Sequence, residues 1–461
     1  MGKISIQNAL NHARQNRAVR LDRFKELLRY PSVSQDAAFQ PQLRDCAGWI
    51  LGEMARIGLR NCRLLPTAGN PIAYADWLDA GEDAPTVLFY AHYDVQPIGD
   101  PSLWGSPPFE PTISDGRLVA RGAIDDKCGV WVNLNAVESI LATCATLPIN
   151  LKLFFEGEEE LGSQSAAACI VANRDLLACD AVIISDGPFS PQQPVIGYAL
   201  RGAISGDVRV TGPPRDLHSG RYGGAVKNPI HYLARIIASF HDASGRVQIK
   251  GFYDDIMPMS DRQIRHMNEL WKTIGPPIQK AAGVGAFFGD YLGVFAERTT
   301  SQPTLDAGGI VGGYQGEGAR AIIPASARCK VTIRTVAGQD SDLIWSRFTE
   351  HVQSFSEPGI QVETELSNLS HPFMMPDNGR EIRAIQRALK SALGKEALLM
   401  RHGGSLAIGG LLGRELNAPV TMFGYGSGDN SHAPNEFIYI DDIQIAIEVA
   451  IHLLYELGLK Q

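Results

Sequence analysis

Four apolar segments of this 461-residue chain each lead into acidic residues or histidine. The segments are TVLFYAHYD (86–94), INLKLFFEGEEE (149–160), DAVIISD (180–186) and APVTMFGYGSGDNSH (418–432). The polar residues at their ends are His92, Asp94, Glu156, Glu158, Glu159, Glu160, Asp186, Asp429 and His432. Asp125 follows a fifth, shorter apolar stretch. Imidazoles and carboxylates without cysteine form the ligand mix that suits zinc, manganese or cobalt.

The four segments predict strands of one parallel sheet, because runs that are apolar on both faces suit parallel strands covered by helices. The carboxyl ends of such strands line a single crevice. Taken singly, a histidine at a strand end is usually structural, and a run of glutamates is usually a solvated turn. Several carboxylates in one crevice repel one another unless a cation is present. The pattern therefore predicts a divalent metal site, provided that the strand ends converge.

Other catalytic motifs are absent from the sequence. It contains no HExxH helix, no GxSxG nucleophile elbow, no GxxxxGK[ST] phosphate loop and no GxGxxG turn after a strand. Catalysis by a serine or cysteine nucleophile and nucleotide binding therefore lose support.

Composition indicates a folded chain, with 44% hydrophobic and 20% charged residues. A net charge of −8 without a basic tract argues against nucleic acid as a partner. No apolar run approaches the roughly 20 residues of a membrane span, so we expect no membrane partner. The first residues lack the apolar core and cleavage site of a secretory signal. The seven scattered cysteines favour reduced thiols, and we expect a cytoplasmic protein.

The pattern of the chain changes near Tyr198. The segments 201–212 and 327–336 alternate apolar and polar residues, as strands with one solvated face do. Outside this region, short apolar runs alternate with helical stretches. We therefore predict an α/β catalytic domain with a doubly wound, mostly parallel sheet, interrupted by a smaller α+β lid or dimerisation domain. The predicted ranges are 1–198 plus 376–461 for the catalytic domain and 199–375 for the smaller domain.

The C-terminal segment has helical periodicity. Apolar residues recur at helical spacing at Ile443, Ile447, Ile451 and Leu454. Asp441 followed by Gln444 resembles a capping pair, so we expect the closing helix to begin there.

Seven short motifs resemble those of one known family. In order they are AHYDVQP (91–97), WGSPPFEP (104–111), RGAIDDK (121–127), FEGEEELGS (155–163), ISDGP (184–188), RDLHSGRYGG (215–224) and SH (431–432). Together they resemble the two-metal, dinuclear zinc family of aminoacylase, acetylornithine deacetylase, succinyl-diaminopimelate desuccinylase, glutamate carboxypeptidase and carnosinase. The HYDVQP and RDLHSG motifs are most similar to the carnosinase-type dipeptidase branch.

The resemblance implies a site for two divalent metal ions per subunit, with zinc expected and manganese or cobalt as alternatives. His92 and Asp186 would bind one ion. Glu160 and His432 would bind the other, and Asp125 would bridge the two. The acidic pair at 125–126 leaves the bridging residue ambiguous by one position, and the family's spacing favours the first of the pair.

The resemblance also implies the catalytic groups. Glu159 would be the general base that takes a proton from a metal-activated bridging water and passes it to the leaving amine. Asp94 would orient His92, and the two lie on the same side of an extended strand. His218 would stabilise the oxyanion. In relatives this histidine reaches the opposite subunit, which implies a homodimer through the lid domain. Without the resemblance, we would interpret His218 as the cap of a Gly-rich loop.

Two features are candidates for binding a substrate carboxylate. Arg334, in the segment VTIRTV, could pair bidentately with the terminal carboxylate of a peptide, although a solvated strand arginine is the alternative. Gly403, Gly404 and Ser405 precede an apolar helical run, so their backbone N–H groups could receive the same carboxylate. A plain turn is the competing interpretation.

The sequence therefore predicts a metal-dependent hydrolase that cleaves the amide bond of dipeptides or short peptides with a free C-terminal carboxylate. An N-acyl- or N-carbamoyl-amino-acid amidohydrolase is an alternative, so the small-molecule partner is a peptide or an N-acyl amino acid. A non-catalytic binding protein of the same fold is a further alternative. The presence of Glu159 argues against it, because metal binding alone does not require that base.

Overall fold

The computed structural model describes residues 6–284 and 292–459. Over these ranges, helices α1 to α14 are, in order, Ile6–Gln15, Arg17–Leu28, Gln40–Arg56, Lys127–Cys144, Ala166–Ala172, Arg174–Leu177, Ser219–Tyr222, Pro229–Ala238, Asp261–Ala282, Leu292–Thr300, Ser341–Gln353, Arg380–Leu393, Ala407–Leu416 and Ile440–Leu457. Strands β1 to β19 are Arg60–Leu65, Ile72–Trp77, Thr86–His92, Thr112–Ser114, Arg117–Val119, Asn150–Glu156, Ala181–Ile184, Val195–Leu200, Gly202–Thr211, Leu217–His218, Thr304–Gly312, Ile322–Ile323, Ser326–Thr335, Gln361–Ser370, Phe373–Met374, Leu398–Arg401, Val420–Met422, Gly428–Asp429 and Phe437–Tyr439. Short 3-10 helices span Ala37–Phe39, Pro101–Leu103 and Glu159–Leu161.

The chain divides into two compact units. The first comprises the chain up to Tyr198, Met375–Met400 and the chain from Ile408 onward, and the second comprises Ala199–Met374 and Arg401–Ala407. This division differs from the predicted ranges at Met375 and at Arg401–Ala407. The latter segment groups with the second unit because its backbone carbonyls accept hydrogen bonds from Arg201, a long-range contact that no local pattern announces.

The sheet of the first unit has the strand order β1-β2-β6-β3-β7-β17-β8. Its centre is parallel, since β3 pairs in parallel with β6 and β7, and β7 pairs in parallel with β17. Every residue of β6 is buried, as the apolar run predicted. The predicted α/β class with a mostly parallel central sheet is confirmed. The register sets His92 beside Glu156, so the two strands end together.

Helix α14 closes the chain with the predicted apolar face. It buries Ile443, Ile447, Ile451 and Leu454. The predicted capping pair of Asp441 and Gln444 is wrong, because the helix begins at Ile440 and a cap must precede the first helical residue. Asp441 lies in the first turn, where its carboxylate pairs with Arg17.

The second unit contains an antiparallel sheet with the order β11-β13-β9-β14. Strands β9 and β13 alternate between buried and more exposed residues, which agrees with the predicted solvated face. Their apolar side chains pack with Leu233 of α8 and Phe348 of α11 in one core.

Within the described ranges, no helix combines the length and the apolar composition that crossing a bilayer requires. All seven cysteines lie in these ranges and are free thiols, as expected.

Candidate metal centre

His92 lies at the carboxyl end of β3, and its side chain is fully buried. Its Nδ1 lies 3.1 Å from the backbone oxygen of Asp94 and 3.4 Å from the Asp94 carboxylate. On the opposite side of the ring, Nε2 lies 3.1 Å from Asp125 Oδ1 and 3.9 Å from Asp186 Oδ2. The contacts with Asp94 favour a proton on Nδ1, so Nε2, which faces the two carboxylates, is the nitrogen that could bind a metal ion.

Asp125 lies between two imidazoles. Its Oδ1 faces His92, while its Oδ2 lies 2.9 Å from His432 Nε2. The same His432 nitrogen lies 3.4 Å from Glu160 Oε2. Two clusters therefore share one carboxylate. We call them the His92 group (His92, Asp125 and Asp186) and the His432 group (His432, Asp125 and Glu160).

Asp126, the neighbour of this shared carboxylate, binds backbone donors instead. One of its oxygens does lie within 4.8 Å of ligand atoms of His92 and Asp186. However, its Oδ1 accepts a hydrogen bond from the Gly129 N–H at the start of α4, at 3.2 Å. Its Oδ2 accepts from the His92 backbone N–H at 3.3 Å. Both oxygens of Asp126 are thus engaged by the backbone, whereas both oxygens of Asp125 face imidazole nitrogens.

The 3-10 helix after β6 carries Glu159 and Glu160. Their backbone N–H groups donate to the two oxygens of Asp94, each at 3.1 Å. Gln96 Nε2 donates to Glu160 Oε2 at 2.7 Å, while Glu160 Oε1 is buried without a hydrogen-bond partner among the described residues. Asp94 was predicted to orient His92, and its carboxylate also holds the turn of the two glutamates. Gln96 lies inside the HYDVQP motif, but residue type and spacing predicted no role for it.

The two other glutamates of this segment have structural partners. Glu156 accepts hydrogen bonds from the hydroxyl groups of Tyr90 at 2.8 Å and Ser163 at 3.0 Å. Glu158 accepts from the Asn70 backbone N–H at 2.8 Å. These hydrogen bonds hold the loop in place. Glu156 and Glu158 therefore have structural roles and belong to neither the His92 group nor the His432 group.

The crowded acids shift one another's pKa values. Burial, together with the charge of Asp125, raises the pKa of Glu160 to about 7. Burial and the same charge raise the pKa of Asp186 to about 6. Burial alone would lower the pKa of His92, but hydrogen bonds with Asp125 and Asp94 hold it well above its usual value. The site therefore retains protons that cations would displace. The donor set, the shared carboxylate and the unpartnered Glu160 oxygen fit two divalent ions.

Metal binding is therefore expected to release protons. Because the pKa values of Glu160 and Asp186 lie near 7 and 6, protons compete with the metal increasingly as the pH falls. We expect the affinity for zinc to fall as the pH is lowered from about 7.5 to about 5.5. Near pH 6.5, zinc binding should release at least about one proton per chain. Calorimetric titration of the metal-free protein in two buffers of different ionisation enthalpy measures this release. An affinity independent of both pH and buffer would contradict the expected competition.

The sequence model of Peptidase family M20/M25/M40 matches residues 88–456 of this chain, a range that includes both groups. The chain belongs to this family. Two curated relatives are similar over most of their length. The Cys-Gly metallodipeptidase DUG1 of Candida albicans is 28% identical over 458 residues, covering 94% of this chain and 93% of the relative. The Beta-Ala-His dipeptidase of Mus musculus is 28% identical over 382 residues, covering 80% and 76%.

Among solved structures, the chain is similar to the M20 family metallo-carboxypeptidase Sso-CP2 from Sulfolobus solfataricus. The TM-score is 0.85 with 30% sequence identity, and the match covers 95% of this chain and 99% of that one. The family and the metallopeptidase class predicted from the motifs are thus confirmed for this M20 chain.

His218 lies in the second unit of the M20 chain, at the end of β10, with an exposed side chain. Its Nδ1 accepts a hydrogen bond from the Gly220 N–H at 3.0 Å. This is the loop-capping contact expected from the residues alone. Because this hydrogen bond uses Nδ1, His218 Nε2 remains available for a further contact.

Arg334 and the segment Gly403 to Ser405 lie together in the second unit. Arg334 Nη1 donates to Ser405 Oγ at 2.7 Å. Arg201 contacts the same segment from its backbone N–H to Gly404 O at 3.0 Å and from Nε to Gly403 O at 2.7 Å. Burial and the charge of Arg334 lower the pKa of Arg201 to about 10. Residue type and spacing predicted no role for Arg201, although it follows a buried strand just as the acidic candidates do.

A third cluster occurs in the second unit, which we call the surface group (Asp340, Asp342 and His371). Its possible ligand atoms also lie within 4.8 Å of one another. Asp340 is the N-cap of α11, where it accepts hydrogen bonds from the backbone N–H groups of Asp342 at 2.9 Å and Leu343 at 3.4 Å. Helix capping accounts for the position of Asp340, and Asp342 lies 3.3 Å from His371 as a surface pair.

Proposed function

We propose that this M20 enzyme is a metal-dependent dipeptidase that cleaves the amide bond of dipeptides or short peptides with a free C-terminal carboxylate. The observation that carries the proposal is the sharing of Asp125 between two groups of imidazole and carboxylate at the end of a parallel sheet. Two relatives are named as Cys-Gly and Beta-Ala-His dipeptidases, which supports dipeptides as the substrate class.

We assign two divalent ions per chain to the two groups. The His92 group would hold one ion and the His432 group would hold the other, and Asp125 belongs to both groups. Nitrogen and oxygen donors of this kind suit zinc, and manganese and cobalt are the alternatives. When bound, two such ions lower the pKa of a water molecule and polarise the carbonyl of the substrate.

Glu159 acts as the general base in this proposal. Its carboxylate takes a proton from the attacking water and later gives it to the nitrogen of the leaving amine. The Glu159 backbone N–H donates a hydrogen bond to Asp94, which fixes the backbone from which the side chain of the base projects. Burial, with the charges of Asp186 and Glu160, raises the pKa of Glu159 well above its usual value. Nearby cations would bring this pKa back toward the range that a base requires.

Arg334 and the backbone of Gly403 to Ser405 bind the terminal carboxylate of the substrate, and Arg201 adds a second guanidinium group. The shared contacts of both arginines with this segment support the assignment. Guanidinium and carboxylate pair through two parallel hydrogen bonds, which favours substrates with a free C-terminus.

The Arg334→Lys variant is expected to lower kcat/KM for a free dipeptide about tenfold to a hundredfold, mainly through KM, because lysine keeps the charge but loses the fork. The C-terminally amidated dipeptide should lose much less. Steady-state kinetics on the two substrates measure the difference. Arg328→Lys is a matched control on the same strand, where the native arginine pairs with Asp207 at 3.5 Å. Equal losses on both substrates would contradict carboxylate binding by Arg334.

The enzyme forms a homodimer through the second unit in this proposal, and His218 stabilises the oxyanion in the site of the opposite subunit. The exposed ring of His218 supports a contact with another chain. Strand β11 is an edge of its sheet, and its Ile310 and Val311 are 61% and 55% exposed. Apolar side chains on an edge strand favour pairing with a second copy.

Mixing two inactive variants tests this arrangement. We expect His218→Ala to lower kcat roughly a hundredfold without loss of metal, because one oxyanion donor is removed. In a heterodimer of His218→Ala and Glu159→Gln subunits, one of the two sites regains both groups. Random exchange should therefore restore about a quarter of the wild-type sites. The absence of any recovery after demonstrated subunit exchange would rule out a role across the interface.

We also assign the enzyme to the cytoplasm. The seven free cysteines support this location, because reduced thiols persist in reducing compartments.

A substrate panel tests the proposed function. Purified protein loaded with zinc, manganese or cobalt is assayed with Cys-Gly, β-Ala-His and other dipeptides, and with N-acetyl and N-carbamoyl amino acids. We expect the dipeptides to be the preferred substrates. Preference for an acylated amino acid would establish the amidohydrolase alternative. No hydrolysis at full metal loading would indicate a binding protein.

A further inference from the structure

The buried carboxylate of Glu436 links two segments that carry proposed metal ligands, the one that contains His432 and the one that contains Asp125. Glu436 follows His432 by four residues, and its side chain is fully buried. The other segment, residues 121–125, ends in the shared Asp125. More than 300 positions separate Glu436 from this segment, so the contact is purely tertiary.

The Glu436 carboxylate accepts four hydrogen bonds from this segment. Its Oε1 accepts from the backbone N–H groups of Ile124 at 2.9 Å and Asp125 at 3.2 Å. Its Oε2 accepts from the Gly122 N–H at 2.9 Å and from Arg121 Nη1 at 2.7 Å. One side chain therefore fixes the backbone from which Asp125 projects. Because Glu436 and Arg121 are both buried, water does not compete for these hydrogen bonds.

Further contacts tie the backbone of Glu436 to the same region. The Glu436 carbonyl accepts from the Ala120 N–H at 3.0 Å, and the following β19 pairs with β5. The Asn435 side chain donates to Leu103 O at 2.8 Å and accepts from the Gly105 N–H at 2.7 Å. Hydrogen bonds of Asn435 and Glu436 thus fix the segment that follows His432.

We infer that Glu436 is a positioning residue, which sets the placement of Asp125 relative to His432 through the hydrogen bonds that it accepts from residues 121–125. The inference rests on the proposed function, since it concerns the ions that Asp125 and His432 would share. Because the Glu436 side chain is fully buried, we expect it to act through the metal ligands rather than by contact with the substrate. Residues that orient metal ligands typically contribute about tenfold to a hundredfold to metal affinity.

A purely structural role is the competing explanation, because loss of either member of a buried ion pair destabilises a protein. Glu53 provides a matched control in the same unit. Its side chain is 5% exposed and pairs with Arg23 and Arg56, away from any proposed ligand. Glu53→Gln therefore removes a buried, arginine-paired carboxylate by the same change without touching the ligand segments.

The test is titration of the metal-free full-length protein with Zn²⁺ against a chromophoric chelator, together with the visible absorption spectrum of the Co²⁺-loaded protein. We expect Glu436→Gln to bind at least one of two ions roughly tenfold to a hundredfold more weakly and to show an altered cobalt spectrum. Glu53→Gln should lose thermal stability but keep wild-type metal affinity and the wild-type spectrum. Equal affinity and an unchanged spectrum in Glu436→Gln would overturn the inference.

A second variant keeps the inference falsifiable if Glu436→Gln does not fold. Glu436→Asp retains the charge opposite Arg121, but its shorter side chain cannot reach all three backbone donors. We expect weaker metal binding here too, and wild-type affinity in this variant would overturn the inference. Titration of the wild type distinguishes failure of the proposed function from failure of the positioning role of Glu436. If the wild type binds no ions, the proposed function fails, whereas two ions bound with wild-type affinity in both Glu436 variants would refute the positioning role alone.

Discussion

Replacing Glu159 with glutamine is expected to lower kcat by about 10²-fold to 10⁴-fold while two divalent ions remain bound per chain. Glutamine keeps the size of the side chain and a hydrogen-bonding oxygen, but it cannot take up a proton near neutral pH. Its backbone N–H can still donate to Asp94, so the turn that carries Glu160 is retained. The loss should therefore fall on the chemical step and leave the KM and the metal content largely unchanged.

Steady-state kinetics and elemental analysis of the same preparation measure the two quantities. Glu138→Gln serves as the matched control, because Glu138 is a partly buried carboxylate of the first unit that pairs with Arg56 at 2.6 Å and with Arg20 at 3.6 Å. It should retain wild-type activity and metal content. Near-normal turnover of Glu159→Gln would refute the base assignment, and loss of an ion would identify Glu159 as a ligand.

Replacing Asp125 with asparagine is expected to weaken both metal positions at once. The native carboxylate faces His92 through one oxygen and His432 through the other. An amide can present an oxygen to only one side and turns an NH₂ group toward the other, and it also lacks the negative charge. We expect the metal content to fall from two ions to one or none, with activity lowered by at least about a hundredfold.

The neighbouring residue provides the control for this variant. Asp126→Asn keeps one acceptor oxygen for its backbone partners, so we expect reduced thermal stability with both ions retained. Metal analysis after dialysis against metal-free buffer distinguishes the two variants. Full metal content in Asp125→Asn together with metal loss in Asp126→Asn would transfer the bridging role to Asp126.

Much of the scaffold could be predicted because it is encoded locally. The apolar runs ending at His92 and Glu156 predicted two buried strands, and the parallel register places their ends side by side. The periodic isoleucines of α14 likewise predicted its buried face. Parallel pairing then explains why polar residues at strand ends, distant in sequence, lie near one another. The capping pair failed because a side-chain pattern alone does not determine which residue starts a helix.

Other parts of the site depend on contacts that no local spacing reveals. The contacts of Arg201 with Gly403 and of Glu436 with Asp125 join residues that are hundreds of positions apart. The second role of Asp94, which holds the turn of Glu159, also requires two separate strands to be aligned. Residue type and local spacing indicate which side chains suit chemistry, but they do not reveal side chains that act through hydrogen bonds with the backbone.

The central claim is that two divalent ions lie side by side at the His92 group and the His432 group. Anomalous diffraction at the zinc absorption edge, from crystals of the zinc-loaded protein, tests it most directly. We predict two anomalous peaks per chain, one in each group, with the Asp125 carboxylate between them. A single peak, no peak at either group, or zinc bound only at the surface group would contradict the account.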